Sequence, residues 1–526
     1  MSTSPISVAA VFALFATAIC NFTFFKETLG GMSVWSNSGL MLSIACFVFI
    51  ISFAAYLLFA FKYTFKPFVI LILCMNAVVI YFMQTYHIMI EKTMLENVFH
   101  TDFQEISELI NLKMLYYFMF FAILPSCVLL KIKIQYPPFL RGLYKNMLVL
   151  FVFFVVTLSI IFINYPKFST FTRENKDNQQ YIVPLNYISG LVKYTKSQLH
   201  HQVAPIPILE DAKLDAAKKP TIFVLVVGET ARAANFSLYG YSRETNPLLS
   251  KQSIAILNPA VSCGTSTAVS LPCIFSHLKC DDFRSRHKDY VFLPEALKKL
   301  AIQTHWVDNN FGGCYGVCDG VDSFLLSHSK DPAFCDETGC VDMILLEKLD
   351  QFLAAFNNQS MLIVLHMNGS HGPLYYKRYP PAFAKFGDAC QKNNVSDCEI
   401  EQLVNAYDNT VLYTDYVLHT LIQKLKAYPD LPTVMLYASD HGESLGEHNL
   451  FLHGFPYAIA PKEQKEIPFL VFLSEAFKKN QLITDDDLQK ENQNYSHDNI
   501  FHTILGAFGI KTKYYQQELD LLHKNN

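Results

Sequence analysis

Asp440 and His441 stand side by side at the end of the apolar run Val434 to Ala438, and His453 follows a short loop later. A carboxylate oxygen and an imidazole nitrogen fixed at one strand end suit a borderline cation such as Zn2+. Other apolar runs end on similar groups. Glu229 follows Thr221 to Val227, His371 follows Met361 to Leu365, and Thr265 and Thr267 lie in the cysteine-flanked loop SCGTSTAVSLPC. One strand-end carboxylate is usually a helix cap, and one hydroxyl-rich loop is usually only a loop. Carboxylates, imidazoles and a hydroxyl converging at the ends of several strands are instead the parts of a metal-assisted nucleophilic site.

Positioning them requires a sheet. Thr221 to Val227, Thr304 to Val307, Met361 to Leu365, Val434 to Ala438 and Ile467 to Phe472 are short β-rich runs, and helical patterns at Glu295 to Ala301, Asp342 to Phe356 and Glu399 to Lys426 alternate with them. Such alternation gives a mostly parallel sheet sandwiched by helices, with ligands in the crevice beyond the carboxyl ends of the strands. This α/β domain is expected over residues 220–526.

The chain is 526 residues long and 51% hydrophobic with only 17% charged, too apolar to be wholly soluble. The apolarity lies before residue 167. Five stretches there lack Lys, Arg, Asp and Glu and are long enough to cross a bilayer as helices: Pro5 to Phe25, Gly31 to Phe61, Pro67 to Ile90, Met114 to Leu130 and Asn146 to Pro166. Residues 1–166 therefore read as an α-helical transmembrane domain of five spans, the first a retained anchor with no basic start or cleavage site. The connection at Lys62 and Lys66 and the one holding Lys131, Lys133, Arg141 and Lys145 are basic, whereas Glu91 to Glu108 is acid-rich. Basic loops stay inside, so the amino terminus is expected in the cytoplasm and everything after Pro166 outside. A net charge of -4 with no dense basic tract argues against nucleic acid as a partner.

Residues 167–219 read as a polar linker. Within it Ile188, Leu191, Val192, Thr195 and Leu199 recur at helical spacing, which fits an amphipathic helix on the membrane surface or against the soluble domain. In the outside loop Asn97, Thr101 and Glu105 are spaced by four and share one face of any helix there, as a solvated stripe or a headgroup site.

Of the 13 cysteines, Cys20, Cys46, Cys74 and Cys127 lie in apolar spans and nine lie outside them. The latter fall mostly into close pairs that an oxidising periplasm permits as disulfides: Cys263 with Cys273, Cys314 with Cys318, Cys335 with Cys340, and Cys390 with Cys398. Cys280 is left over, either free or a partner that changes these pairings.

The stretches VVGETARAANFSLYGYSRETNPL, SCGTSTAVSLPCIFS, HMNGSHGP, YDNTVLYTDYVL and SDHGESLGEHNLFLHG together resemble the bacterial inner-membrane phosphoethanolamine transferases that decorate lipid A, members of the alkaline phosphatase superfamily. The resemblance runs over nearly the whole chain. It implies that Glu229, Thr267, Asp440 and His441 bind one zinc ion and that Thr267 is the nucleophile, with a phosphothreonine intermediate. It places His371 and His453 across the phosphate, as substrate and proton-transfer groups or as ligands of a second zinc. Asn97, Thr101 and Glu105 match the family's headgroup-binding residues, and Asn310 remains available to hydrogen-bond the substrate. The implied donor is phosphatidylethanolamine, the acceptor a lipid A phosphate, and the working form a monomer in the inner membrane that confers polymyxin resistance. Tyr315 stands where the family usually has Lys, so the acceptor could differ. Transfer of phosphoethanolamine or phosphoglycerol to a core sugar, glycan or protein is the alternative within enzymes, and a non-catalytic lipid-binding relative the alternative outside them. A sulfatase would need an Arg in the nucleophile loop, which has none.

Overall fold

The computed structural model describes residues 3–29, 34–88, 90, 92–100, 109–174, 180–200, 204–286, 289–336, 339–392, 395–488 and 493–524. The chain divides into two compact units, Met1–Leu95 with Ile110–Lys196, and Glu96–Leu109 with Ser197–Asn526.

The first unit is helical. Asn37–Leu58, Phe65–Thr85, Leu112–Lys131 and Phe139–Ile163 are each long and apolar enough to cross a membrane. The first expected span is not straight: Pro5–Cys20 and Phe22–Leu29 meet at 49°, making a fifth crossing only if the bent pair counts as one. Asn21 sits at the break. Its amide nitrogen donates to the carbonyls of Ala16 and Val183, each at 2.8 Å, and its oxygen accepts the Val183 N–H at 2.9 Å. A polar side chain inserted into the carbonyl ladder is a standard cause of a helix bend. The last span begins at Phe139, several residues before the uncharged stretch, because Arg141 and Lys145 are carried in its first turns with their charged ends exposed.

The helix expected in the linker forms at Leu185–His200. Its start packs into the first unit: Ile182, Val183 and Tyr187 are buried, and the Tyr187 hydroxyl donates to Asn76 at 2.9 Å. Ile188, Leu191 and Val192 of the periodic stripe stay exposed, so the buried start is anchored by Tyr187 and not by that stripe. The division between units falls at Lys196 and Ser197, inside the stretch read as linker.

The second unit holds a seven-stranded sheet. In chain order its strands are β1 (Ile222–Gly228), β2 (Ala255–Ile256), β3 (Gln303–Asp308), β4 (Asp322–Leu325), β5 (Met361–His366), β6 (Thr433–Ser439) and β7 (Phe469–Leu473). They lie in the order β2-β7-β6-β1-β5-β3-β4. β6, β1, β5, β3 and β4 pair in parallel, whereas β7 runs antiparallel to both β6 and β2. The sheet is thus mostly parallel, as its alternating pattern requires, with one reversed strand that apolarity alone does not distinguish. Every residue of β1, β5 and β6 is buried, the mark of strands covered on both faces. Edge strand β2 is too short, and β4 too exposed, to be read from pattern.

The cysteine pairing needs one correction. Cys314–Cys318, Cys335–Cys340 and Cys390–Cys398 are disulfides, but Cys263 is bonded to Cys280 and Cys273 is a buried thiol. Cys273 closes the short helix Thr267–Ile274, and the chain returns so that Cys280 Sγ lies 3.9 Å from Cys273 Sγ. Asp498 accepts the Cys280 N–H at 2.8 Å and Arg284 donates to the Cys263 carbonyl at 2.6 Å, fixing both backbones of the bridge. Spacing in sequence favours the nearer thiol; the fold places three sulfurs together.

Candidate active site

The carboxyl ends of β1 and β6 are adjacent, since the strands pair in register from Ile222 with Thr433 to Gly228 with Ser439. Glu229 and Asp440, the next residue of each, therefore emerge side by side. Asp440 is oriented from its own strand end and from the neighbouring one: Oδ1 accepts the N–H of Thr230 at 3.1 Å and of His441 at 2.7 Å. Gly369 has φ +52, and a Cβ there would meet the Glu229 nitrogen at 2.9 Å and its oxygen at 2.7 Å. Only glycine fits that approach of the loop after β5 to the Glu229 backbone.

Thr267 begins the helix Thr267–Ile274, where the positive end of the helix favours negative charge. Its hydroxyl lies 3.3 and 3.4 Å from the two Glu229 oxygens and 3.4 Å from His441 Nε2. His441 Nε2 is 3.6 Å from Glu229 Oε1 and 3.2 Å from Asp440 Oδ2. Glu229, Asp440 and His441 are wholly buried and Thr267 nearly so. Four ligands held about 2.0–2.1 Å from a zinc ion stand about 3.3–3.4 Å apart as a tetrahedron. The observed separations match that figure, and the donor set of two carboxylates, one imidazole and one hydroxyl suits the ion.

His441 is prepared as a ligand. Its Nδ1 lies 2.9 Å from the Gly442 carbonyl, which fixes the proton on Nδ1 and leaves Nε2 with its lone pair toward Thr267. Burial holds its pKa well below the usual histidine range, so the ring is neutral. Gly442 has no room for a side chain, because a Cβ would lie 2.1 Å from the Glu463 carbonyl.

His453 and His371 complete the cluster, their ring centres 5.7 Å apart, with His453 4.4 Å from His441. His453 is held by Glu443, whose Oε2 is 3.4 Å from Nδ1. Burial raises the Glu443 carboxyl and the nearby His453 lowers it. Arg378 donates to the His371 carbonyl at 2.9 Å, and burial, with the charge of Arg378, lowers the His371 pKa.

Asn310 lies against the candidate ligands. Its amide nitrogen donates to Glu229 Oε2 at 2.7 Å and to the Met367 carbonyl at 3.3 Å, and its oxygen accepts the Gly312 N–H at 2.8 Å. It fixes the orientation of a candidate ligand. Thr265 is committed in the same way, since its hydroxyl donates to the Phe455 carbonyl at 2.6 Å and its carbonyl accepts the Gly454 N–H at 2.7 Å, tying the Thr267 loop to the His453 loop. Tyr315 has left-handed backbone with φ 49, between the two halves of the Cys314–Cys318 bridge. Asn97 lies on the helix Lys92–His100; Thr101 and Glu105 fall outside the described residues.

Several supporting residues escape sequence reasoning. Glu443 lies within SDHGESLGEH, three residues after Asp440, and the signal is a third acidic or imidazole group in an already suspect loop. Asp308 and His366 form a buried pair at 3.1 Å, and Asp308 accepts the Asn310 N–H at 2.8 Å, so the pair supports Asn310 from behind. His497 bridges the Ser439 carbonyl at 2.9 Å and the Cys263 N–H at 3.1 Å, joining β6 to the loop before Thr267. No local pattern marks a histidine whose partners are backbone atoms so far away along the chain.

Comparison with known proteins bears on this geometry. The Sulfatase family profile matches residues 221–510, and that of Phosphoethanolamine transferase EptA/EptB matches residues 47–199. Phosphoethanolamine transferase EptA of Escherichia coli strain K12 is 36% identical over 97% of this chain and 95% of its own length. Phosphatidylethanolamine transferase Mcr-1 of Escherichia coli is 36% identical over 97% of this chain and 96% of its own. Among solved structures, the integral membrane lipooligosaccharide phosphoethanolamine transferase A of Neisseria meningitidis superposes with a TM-score of 0.93 at 33% identity, covering 99% of both chains.

Proposed function

The chain belongs to the phosphoethanolamine transferase family, and from that premise we propose that it moves phosphoethanolamine from phosphatidylethanolamine to a lipid A phosphate through a phosphothreonine at Thr267. The observation that carries this reading is the Thr267 hydroxyl surrounded by Glu229, Asp440 and His441 at the end of the sheet. These four residues would hold one Zn2+, which when bound lowers the pKa of the threonine hydroxyl and offsets charge on the phosphoryl group.

In the first half-reaction Thr267 Oγ1, its proton given up to solvent beforehand, attacks phosphorus, the bond to the glycerol oxygen breaks, and diacylglycerol leaves with a proton. His453 is assigned as the donor of that proton: Nδ1 faces Glu443, which leaves Nε2 for transfer. In the second, an acceptor phosphate oxygen attacks the phosphothreonine and passes its proton to His453, and the bond from phosphorus to Thr267 Oγ1 breaks, releasing the threonine oxygen in the deprotonated form that began the cycle. His371, across from His453, is assigned to the transferred phosphate, as a hydrogen-bond donor or with His453 as ligand of a second ion. Asn310 acts through Glu229. The group lost from one lipid is thereby passed to another without both bulky lipids occupying the site together.

The helices support a multi-pass membrane protein, and the charge of its loops supports a cytoplasmic amino terminus with the second unit in the periplasm; the working form we propose is a monomer in the inner membrane. Added ethanolamine makes lipid A less negative, which weakens attraction of cationic polymyxin. Mass spectrometry of lipid A from a heterologous host expressing the chain tests the proposal. A gain of one phosphoethanolamine, with raised polymyxin tolerance, is expected; unmodified lipid A from a host containing the folded protein would overturn it.

Asn97, Thr101 and Glu105 are assigned to the donor headgroup. Replacing all three by Ala is expected to lower the ratio of lipid A modification to hydrolysis of a soluble phosphoethanolamine ester about tenfold, since a soluble ester does not depend on a headgroup seat for its effective concentration. An unchanged ratio would return the three to a solvated stripe.

A further inference from the structure

The segment that leaves the active site at His371 goes on to line a second, separate cavity of about 750 Å3. Tyr376, Tyr379 and Phe386 supply aromatic surface there, and Asp388, Gln391 and Gln402 supply polar groups. Tyr376 lies five residues after His371, so a fully extended chain would separate them by at most about 18 Å.

The walls of this cavity are built and not slack. Asn409, wholly buried on the long helix Ile400–Lys426, holds residue 386 by both backbone groups: it accepts the Phe386 N–H at 2.9 Å and donates to the Phe386 carbonyl at 3.0 Å. The same amide lies 3.2 Å from the Tyr379 hydroxyl. One turn earlier Asn405 donates to the Gly387 carbonyl at 2.6 Å. The far wall is closed by the Cys390–Cys398 disulfide and by the Cys390 N–H bonded to the Gln402 carbonyl at 2.9 Å. Gln402 donates to Asp388 at 3.0 Å, so amide and carboxylate stand together on the rim.

We infer that this cavity binds carbohydrate. The volume is that of a small-molecule site and exceeds what an ethanolamine group would fill. Aromatic rings offer flat apolar surface to the C–H face of a pyranose, while side-chain amides and a carboxylate, which together donate and accept, match ring hydroxyls and N-acyl groups. Lys392 is the one cation in the lining, and its ammonium donates to the Asp397 carbonyl at 2.6 Å, whereas a site for a bare anion would show several cations converging; a site for an acyl chain would lack the polar groups. The assignment deepens the acceptor reading above and rests on it: the sugar backbone of a phosphorylated glycolipid would seat here while its phosphate meets Thr267.

Direct binding tests it on the full chain in detergent, with N,N'-diacetylchitobiose as probe and saturation-transfer NMR as readout. Saturable binding is expected, weakened about tenfold in Tyr376→Ala combined with Gln391→Ala, two substitutions away from the buried Asn405 and Asn409 clamps. The same double variant is expected to lower the ratio of lipid A modification to soluble ester hydrolysis about tenfold. Tyr376→Phe, which keeps the ring, should bind the probe nearly as the parent does. No binding by the parent chain overturns the proposal, as does binding that the double variant leaves intact. Should the parent bind the disaccharide yet leave lipid A unmodified, the carbohydrate site stands and the choice of acceptor falls.

Discussion

Thr267→Ala is expected to lower phosphoethanolamine transfer about 10³-fold or more, with a thermal unfolding midpoint close to that of the parent. The size follows from the absence of a substitute among the described residues: no other hydroxyl approaches Glu229 and His441 as Thr267 does. Thr265, two residues earlier, is committed to the Phe455 carbonyl, and Ser270 lies a turn further into the helix. The fold should survive, because the change removes one methyl and one hydroxyl group that belong to no hydrophobic cluster. It also leaves the helix start in place, where the Ser266 carbonyl accepts the Val269 and Ser270 N–H groups. Transfer is read by mass spectrometry of lipid A and the donor half-reaction by release of diacylglycerol. Both should fall together. If diacylglycerol release persisted at the parental rate, attack by water or by the acceptor would have to replace the phosphothreonine. Thr265→Ala should be milder in both assays, since it loosens the link between two loops without removing a reacting atom.

The second large effect is removal of the metal. Stripping the protein with a chelator is expected to abolish transfer and to lower the unfolding midpoint, and Zn2+ should restore both. Glu229 and Asp440 are wholly buried on either side of His441 Nε2, and without a cation their charge is uncompensated in a medium that solvates it poorly, at a cost of roughly several kcal/mol. The pH dependence has a definite sign. Burial raises the Asp440 carboxyl above its ordinary value of 3.8, against the lowering by hydrogen bonds from Thr230 and His441 and by the charge of His366. A group whose pKa is higher in the folded state stabilises the fold at low pH and loses that contribution as pH rises through the folded value. The stripped protein should therefore weaken as pH rises above the ordinary carboxylate value, while metal ligands gain strength as they lose their protons. The gap in midpoint between loaded and stripped protein is expected to widen over that interval. A constant or narrowing gap would mean that Asp440 is not held as a buried ligand.

The residues of the site are legible without any fold, because their types are tied to local pattern. An apolar run of five to seven residues ending on Glu229, on Asp440-His441 or before His371 reads as a buried strand delivering a ligand to its carboxyl end, and three such runs in one alternating sequence belong in one sheet. Membrane spans are legible for the same reason: about twenty apolar residues need a bilayer or a core. What the sequence does not hold is anything decided by a partner far along the chain. β7 is reversed because of where its connection lands, not because of its composition. The break at Asn21 depends on Val183, 162 residues later, and an asparagine in an apolar stretch does not announce its acceptor. Cys263 pairs with Cys280 and not with the nearer Cys273 because a helix turns the intervening chain back on itself. Asn310 offers an amide in the sequence, but the fold alone sets Glu229 2.7 Å from it. Periodicity records which face of an element is buried, whereas hydrogen-bond partners, disulfide pairing and strand direction are settled by which elements meet, and only tertiary structure makes them meet.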